Sequence, residues 1–316
     1  MQFEVETREM REIYCESLIA LAENDDRIVL VEADLMRANG TMPFKARFPE
    51  RAFDVGVAEA NMMGVAAGLA ACGKIPFANT FGAFAARRCY DQVAISIAYT
   101  EMNVKIGGID PGVSAELNGG THMALEDMTL MRAVPGMTIV EPVDGTQLRE
   151  ALPQIAGCDG PCYIRLYRKK APKVFDSGYR FTLGKADVLR DGEDVAIFST
   201  GLMVHKSLAA AAELANKNIR AAVVNIHTLK PLDAQCVRDL AGRCGAVVTA
   251  ENHSMVGALG GAVCEELAGS HPVPVVRVGV GDRFGEVGGM AYLHGVFGID
   301  VADVVAAAEK AVSLKR

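Results

Sequence analysis

The chain is predicted to fold as α/β, in two consecutive open, mostly parallel-sheet domains, and three observations predict it. Short apolar runs alternate with helical patterns along most of its 316 residues. Half of the residues are hydrophobic, only 6% are aromatic and Trp is absent, a composition suited to closely packed layers. The alternation breaks once, over 168–184, where Arg168, Lys169 and Lys170 are followed by Pro172, Ser177 and Gly178. This break divides the chain into a first domain at 1–172, a linker at 173–186 and a second domain at 187–316. A chain of this length supports a separate core in each.

Each element follows from its pattern. A helix over 8–22 leads into a strand at 28–31. A strand at 52–57 gives way to a helix over 59–72, and a strand at 75–79 to a helix over 85–99. Strands at 104–109 and 137–140 come next, then a helix over 145–156 and a strand at 162–166. The second domain repeats the alternation. Strands fall at 194–199, 220–225, 246–251 and 273–278, with helices over 202–217, 232–242, 259–268 and 301–311. Val204, Leu208, Ala211, Ala212 and Ala215 recur at the spacing of one packed helical face.

The bulk numbers exclude several functions. A net charge of −7 argues against a nucleic-acid or anionic-membrane partner. It leaves open a phosphorylated small substrate, which needs only two or three local cations. No uncharged apolar run is long enough for a membrane span, and the N-terminus lacks a signal-peptide core. The eight cysteines lack the spacing of a zinc site, so no metal site is expected on this chain, and a reduced cytoplasmic protein is expected.

One acid stands out. Between Val55 and Cys72 the only charged side chain is Glu59, where a strand gives way to a helix of Ala, Gly, Met, Val and Leu. A helix apolar on all faces is normally buried. Free N–H groups at a helix start stabilise a carboxylate there, whereas burial raises a carboxyl's proton affinity. Opposed effects of this kind tune acid–base groups. The same pattern also fits a first-turn Glu that only complements the helix dipole.

Phe81 and Phe84 flank a strand-to-helix junction, as a stacking wall for a flat heterocycle or as core anchors for the helix. A Gly-rich polar segment at 107–127 carries His122, either a proton handler or a residue bonded to its own loop. Arg8 and Arg168 are candidate anion binders. There is no phosphate-binding Gly-x-x-x-x-Gly-Lys loop, dinucleotide fingerprint or nucleophile elbow.

In order along the chain stand Val-Gly-Val-Ala-Glu59, Thr80-Phe81-x-x-Phe84, Asp91-Gln92, Gly120-Thr-His122, Glu141-Pro142 and Gly160-Pro161 with Arg168. Thr228-Leu-Lys-Pro-Leu-Asp233, Glu251-Asn-His-Ser254 and Asp282-Arg-Phe-Gly285 follow. As a set, this resembles the transketolase family of thiamine-diphosphate enzymes, over nearly the whole chain. The family's diphosphate- and magnesium-binding domain is marked by Gly-Asp-Gly, which is absent here. The chain is therefore similar to the smaller subunit of a split transketolase. The resemblance implies an N-terminal partner subunit that holds thiamine diphosphate through magnesium, and an α2β2 assembly with the cofactor between subunits.

The resemblance also implies roles. Glu59 contacts the aminopyrimidine, Phe84 with Phe81 stacks on it, and Asp34 joins the cofactor contacts. His122 faces the sugar, Arg8 and Arg168 hold the substrate's phosphate, and a two-carbon ketol unit is transferred. Three positions depart from the pattern, all on the substrate side. Asp110 replaces a His that holds the sugar phosphate, Asn118 replaces an Asp that reads the acceptor hydroxyl, and Ala38 replaces a Ser. An Asp beside a phosphate is repulsive, by about 1 kcal/mol in water and more when dry. Arg37 is placed to compensate. The departures imply an uncommon ketose phosphate, such as a branched or modified sugar. Asp110 and Tyr90-Asp-Gln92 also resemble 1-deoxyxylulose-5-phosphate synthases, although those place an Arg where Pro111 stands. The β subunits of 2-oxo-acid dehydrogenases share the architecture, and a non-catalytic assembly subunit is a reading of another class.

Overall fold

The computed structural model describes residues 3–315. In chain order the first part contains α1 (Met10–Asn24), β1 (Ile28–Glu32), α2 (Met36–Asn39), α3 (Met42–Arg47), β2 (Ala52–Asp54), α4 (Glu59–Ala71), β3 (Ile75–Phe81) and β4 (Lys105–Ile109). It continues with α5 (Asp127–Ala133), β5 (Thr138–Val140), α6 (Gly145–Gly157) and β6 (Cys162–Leu166). The second part holds β7 (Asp187–Arg190), β8 (Val195–Ser199), α7 (Met203–Ala215), β9 (Ala221–Asn225), β10 (Thr228–Lys230) and α8 (Ala234–Cys244). It closes with β11 (Val247–Ser254), α9 (Leu259–Ser270), β12 (Val275–Val280), α10 (Met290–Phe297) and α11 (Val301–Ser313).

Two open sheets result, in the orders β10-β5-β6-β4-β3-β1-β2 and β12-β11-β8-β9-β7. Strands β1, β3, β4 and β6 are buried along their whole length, as a parallel sheet covered on both faces requires. Each sheet has one antiparallel edge: β10 against β5, and β7 against β9. The β10 edge crosses the boundary read from sequence, because a strand that follows β9 completes the first sheet. In β4, a Cβ on Gly107 would collide with Asn79, and one on Gly108 with the Tyr163 hydroxyl. The two glycines let polar groups of β3 and β6 close over the middle strand.

Several local expectations are corrected. The strand expected over 52–57 stops at Asp54, because Gly56 turns the chain with φ 75°. The helix expected over 85–99 consists of two π-helical segments, Phe84–Arg88 and Gln92–Ala98, broken at Cys89 with φ −122°. The helix expected over 232–242 begins at Ala234, where Asp233 caps it by accepting from the Cys236 N–H at 3.2 Å. Helix α4 is not buried on every side. Met62, Met63, Ala66 and Ala67 face the sheet, while Asn61, Gly64, Gly68 and Ala71 are exposed. The apolar stretch from Met290 to Ser313 is two helices of 8 and 13 residues, separated at Gly298 with φ 66°. Neither is long enough to cross a bilayer.

Candidate active site

The carboxyl ends of the first sheet's central strands carry the site, as the topology of open α/β sheets favours. Phe81 is the last residue of β3, Asp110 follows β4 directly, and Arg168 lies two residues beyond β6. Since β6, β4 and β3 are neighbours in the sheet, three side chains distant in sequence reach one rim.

Glu59 opens α4 and is 4% exposed. Its Oε1 accepts from Arg88 Nη1 at 2.8 Å. The Arg88 guanidinium also lies over the Phe84 ring, 4.0 Å from its centroid. One planar cation therefore bridges the acid and the aromatic face. His122 stands across from them, its ring centroid 5.1 Å from Phe84 and 6.0 Å from Phe81. Thr121 Oγ1 pairs with His122 Nδ1 at 2.9 Å. Arg87 fixes this loop, donating to the Thr121 carbonyl at 2.9 Å and meeting Glu126 at 3.0 Å.

Arg168 lies over the outer edge of this group, its guanidinium carbon 5.4 Å from the Phe81 centroid. Behind it Asp110, 1% exposed, meets Arg168 Nη2 at 2.9 Å. Burial pushes the Asp110 carboxyl up to about 6, against the opposing pull of Arg168 and Lys169. Asp110 has φ 59°, a left-handed conformation that Asp and Asn adopt more readily than other non-glycine residues.

Two buried polar networks hold this rim. Glu32, at the end of β1, accepts from Asn39 Nδ2 and the Thr41 hydroxyl, both at 2.7 Å, and from Asn79 Nδ2 at 3.3 Å. Desolvation still drives its carboxyl up to about 8. Beneath the His122 loop, Arg165 is fully buried. It pairs with Asp127 at 2.9 Å and Glu141 at 2.6 Å, and donates to the Asn252 carbonyl at 2.8 Å. Thr200 donates to the other oxygen of Glu141 at 2.8 Å. Asn252 and Thr200 belong to the second domain, so Arg165 ties both domains to the base of the site.

The structure thus brings together Glu59, Phe81, Phe84, His122, Arg168 and Asp110. Arg8 and Arg37 line a neighbouring cavity of about 450 Å³ with Arg11, and Arg8 is paired with Glu16 at 2.5 Å. Arg8 precedes the helix it was expected to open, since α1 begins at Met10. Asp34 and Asn118 stand outside this chain of contacts. Both are exposed, and the Asp34 N–H donates to Asp54 Oδ1 at 2.9 Å. Arg88, Arg87 and Arg11 were not singled out from sequence. Arg88 had a usable signal, because four residues after Phe84 is the same helical face.

The Glu59–Phe84 cradle also answers whether an aminopyrimidine fits. It already holds a flat, nitrogen-bearing group in the guanidinium of Arg88, stacked on Phe84 and hydrogen-bonded to Glu59. An aminopyrimidine offers the same plane, with a ring nitrogen that accepts a hydrogen bond where the guanidinium donates one. Among the described residues no group of His, Cys, Asp and Glu side chains is placed to hold a metal ion.

Residues 6–173 match the family described as transketolase, pyrimidine binding domain, and residues 184–304 match transketolase, C-terminal domain. The chain is 54% identical over 315 residues to the 6-deoxy-6-sulfo-D-fructose transketolase subunit SqwH of Clostridium sp. (strain MSTE9), covering 99% of this chain and 98% of that protein. It is 37% identical to the 1-deoxy-D-xylulose-5-phosphate synthase 1 of Geobacter sulfurreducens, covering 96% of this chain but 48% of that protein. A solved structure described as a split gene transketolase, inactive beta4 tetramer, superimposes with a TM-score of 0.90 at 44% identity, covering 98% of this chain and 99% of that one. This chain belongs to the transketolase family, as a subunit that carries the pyrimidine-binding and C-terminal domains.

Proposed function

We propose that this chain and a separate N-terminal subunit form a transketolase whose donor is 6-deoxy-6-sulfo-D-fructose or a ketose of the same chemistry. The observation that carries the catalytic part is the buried carboxyl of Glu59 at the edge of the Phe84 face. The donor follows from the SqwH relative, which matches nearly end to end. The related chain that assembled only with itself is described as inactive, which supports the need for a partner. The partner brings the diphosphate and magnesium site, in an α2β2 assembly. Eight free cysteines support a cytoplasmic setting.

Thiamine diphosphate, when bound, supplies the electron sink for breaking a carbon–carbon bond next to a carbonyl. Glu59 holds a proton at a pyrimidine nitrogen. Phe84, with Phe81 beside it, sets the ring plane. With Nδ1 engaged by Thr121, His122 presents Nε2 to a donor hydroxyl. Arg168 receives the terminal anionic group of the sugar. In the net reaction the C2–C3 bond of the ketose breaks and C1–C2 joins the aldehyde carbon of an acceptor. The leaving aldose is two carbons shorter and keeps its anionic end. The test is to combine this chain with its partner and follow transfer from the sulfoketose to an aldose phosphate. Pyruvate-dependent release of carbon dioxide instead would establish the synthase chemistry.

A further inference from the structure

The geometry points to a charge-balanced anion site, in which Asp110 offsets Arg168 from behind so that the pocket selects a singly charged sulfonate over a doubly charged phosphate. This rests on the sulfoketose reading and adds the residue that enforces it.

Of the cations around this edge of the site, four are matched by a carboxylate, while the exposed Arg37, in the cavity of Arg8 and Arg11, is not. Arg168 meets Asp110 at 2.9 Å, Arg11 meets Glu9 at 2.6 Å, Arg8 meets Glu16 at 2.5 Å, and Lys169 is paired with Glu116. They form one region, because the Arg11 N–H donates to the Arg168 carbonyl at 3.2 Å and the Met10 N–H to the Lys169 carbonyl at 3.0 Å. Arg168 keeps an outer face in solvent, whereas Asp110 is sealed beneath it. Neither oxygen of Asp110 has an aligned hydrogen-bond donor among the described residues, so the contact with Arg168 is chiefly electrostatic.

The selection follows from how two energies scale. Attraction of an anion to a site grows in proportion to its charge. The cost of removing it from water grows with the square of that charge. A site with a large net positive field can meet the quadrupled cost of a dianion. A site whose central cation, Arg168, is offset by a buried carboxylate cannot, and is left with a preference for the monoanion. A sulfonate carries one negative charge at any ordinary pH, whereas a phosphate monoester, with a second pKa near 6, carries close to two above neutrality. The buried acid at position 110, costly in its desolvation, is accounted for by this selection.

The experiment compares kcat/KM of the assembled two-subunit enzyme for 6-deoxy-6-sulfofructose and fructose 6-phosphate at pH 8, in wild type and Asp110→Asn. Asn tolerates the left-handed backbone, which keeps the substitution local. The sulfonate-to-phosphate ratio is expected to fall about tenfold or more in the variant, with an absolute gain on the phosphate. A second measurement needs no variant: wild-type enzyme is expected to be inhibited more strongly by propanesulfonate than by propyl phosphate. An unchanged ratio with the sulfoketose still turned over, or equal inhibition by the two alkyl anions, overturns the charge balance and leaves the sulfoketose reading standing. Turnover of the phosphate alone by wild type overturns both.

Discussion

Arg88 Nη1 lies 2.8 Å from Glu59 Oε1 while its guanidinium covers Phe84 at 4.0 Å, so a single side chain occupies both surfaces proposed for a pyrimidine ring. The two cannot share the Phe84 face, and Arg88 must swing outward for the ring to enter. Its side chain is half exposed, so the motion breaks only the Glu59 pair and the aromatic contact. An equilibrium of this kind weakens apparent affinity by the fraction of sites that are closed. Arg88→Ala is expected to tighten thiamine diphosphate binding to the assembled enzyme about three- to tenfold, read by titrating the near-ultraviolet circular dichroism. Weaker binding by this variant would mean that Arg88 supports the cofactor rather than displaces it.

Replacing Glu59 with Gln keeps the size of the side chain and removes the acid. Turnover by the assembled enzyme is expected to fall about 100-fold or more, the loss typical of a positioned proton carrier. Assembly, read by size-exclusion chromatography, is expected to persist. Near-normal turnover would remove Glu59 from the chemistry and favour a subunit that only completes an assembly.

Arg165 is fully buried between Asp127 and Glu141. Truncating it to Met leaves two carboxylates without their cation, a change that costs about 3–5 kcal/mol in buried pairs. A matching loss in denaturant unfolding is expected. Because Thr200 and Asn252 share the network, both domains should lose cooperativity together.

Glu32 sets a pH dependence. Its folded-state carboxyl lies at about 8 against an ordinary 4.5, so the folded chain binds this proton more tightly than the unfolded chain does. Stability from this group is therefore complete below pH 4.5 and is lost as pH rises to 8. The buried histidines His205, His227, His253 and His294, lowered to about 4, act in the opposite sense, but only below 6.5. Between pH 6.5 and 8 the melting temperature is expected to fall, and Glu32→Gln is expected to flatten that slope. An identical slope in the variant would refute the assignment.

The strand-and-helix order was legible because buried parallel strands read as continuous apolar runs, as Ile28–Glu32 and Cys162–Leu166 do. The short edges β7 and β10 were not, since Asp187–Arg190 and Thr228–Lys230 are too brief and too polar to show a period. Glu59, Phe81, Phe84 and His122 stood out as chemically unusual residues at strand-to-helix junctions. Arg88 did not, because an arginine on a helix ordinarily faces solvent, and its bond to Glu59 depends on a tertiary approach across 29 positions. Similarly, position 110 was legible as a misplaced acid, but its pairing with Arg168 required neighbouring strands β4 and β6.

Strand β10 has a consequence for biosynthesis. The first sheet ends in Thr228–Lys230, laid antiparallel on β5, so its border is not closed until the chain has been made well past the junction at 173–186. A nascent or truncated product that stops at that junction presents β5 as a raw edge, open to pairing with another polypeptide. The first sheet therefore lacks this edge strand until residue 230 has been made. Any attempt to express the first domain as a separate module should carry the chain through residue 230, so that β5 keeps its antiparallel partner.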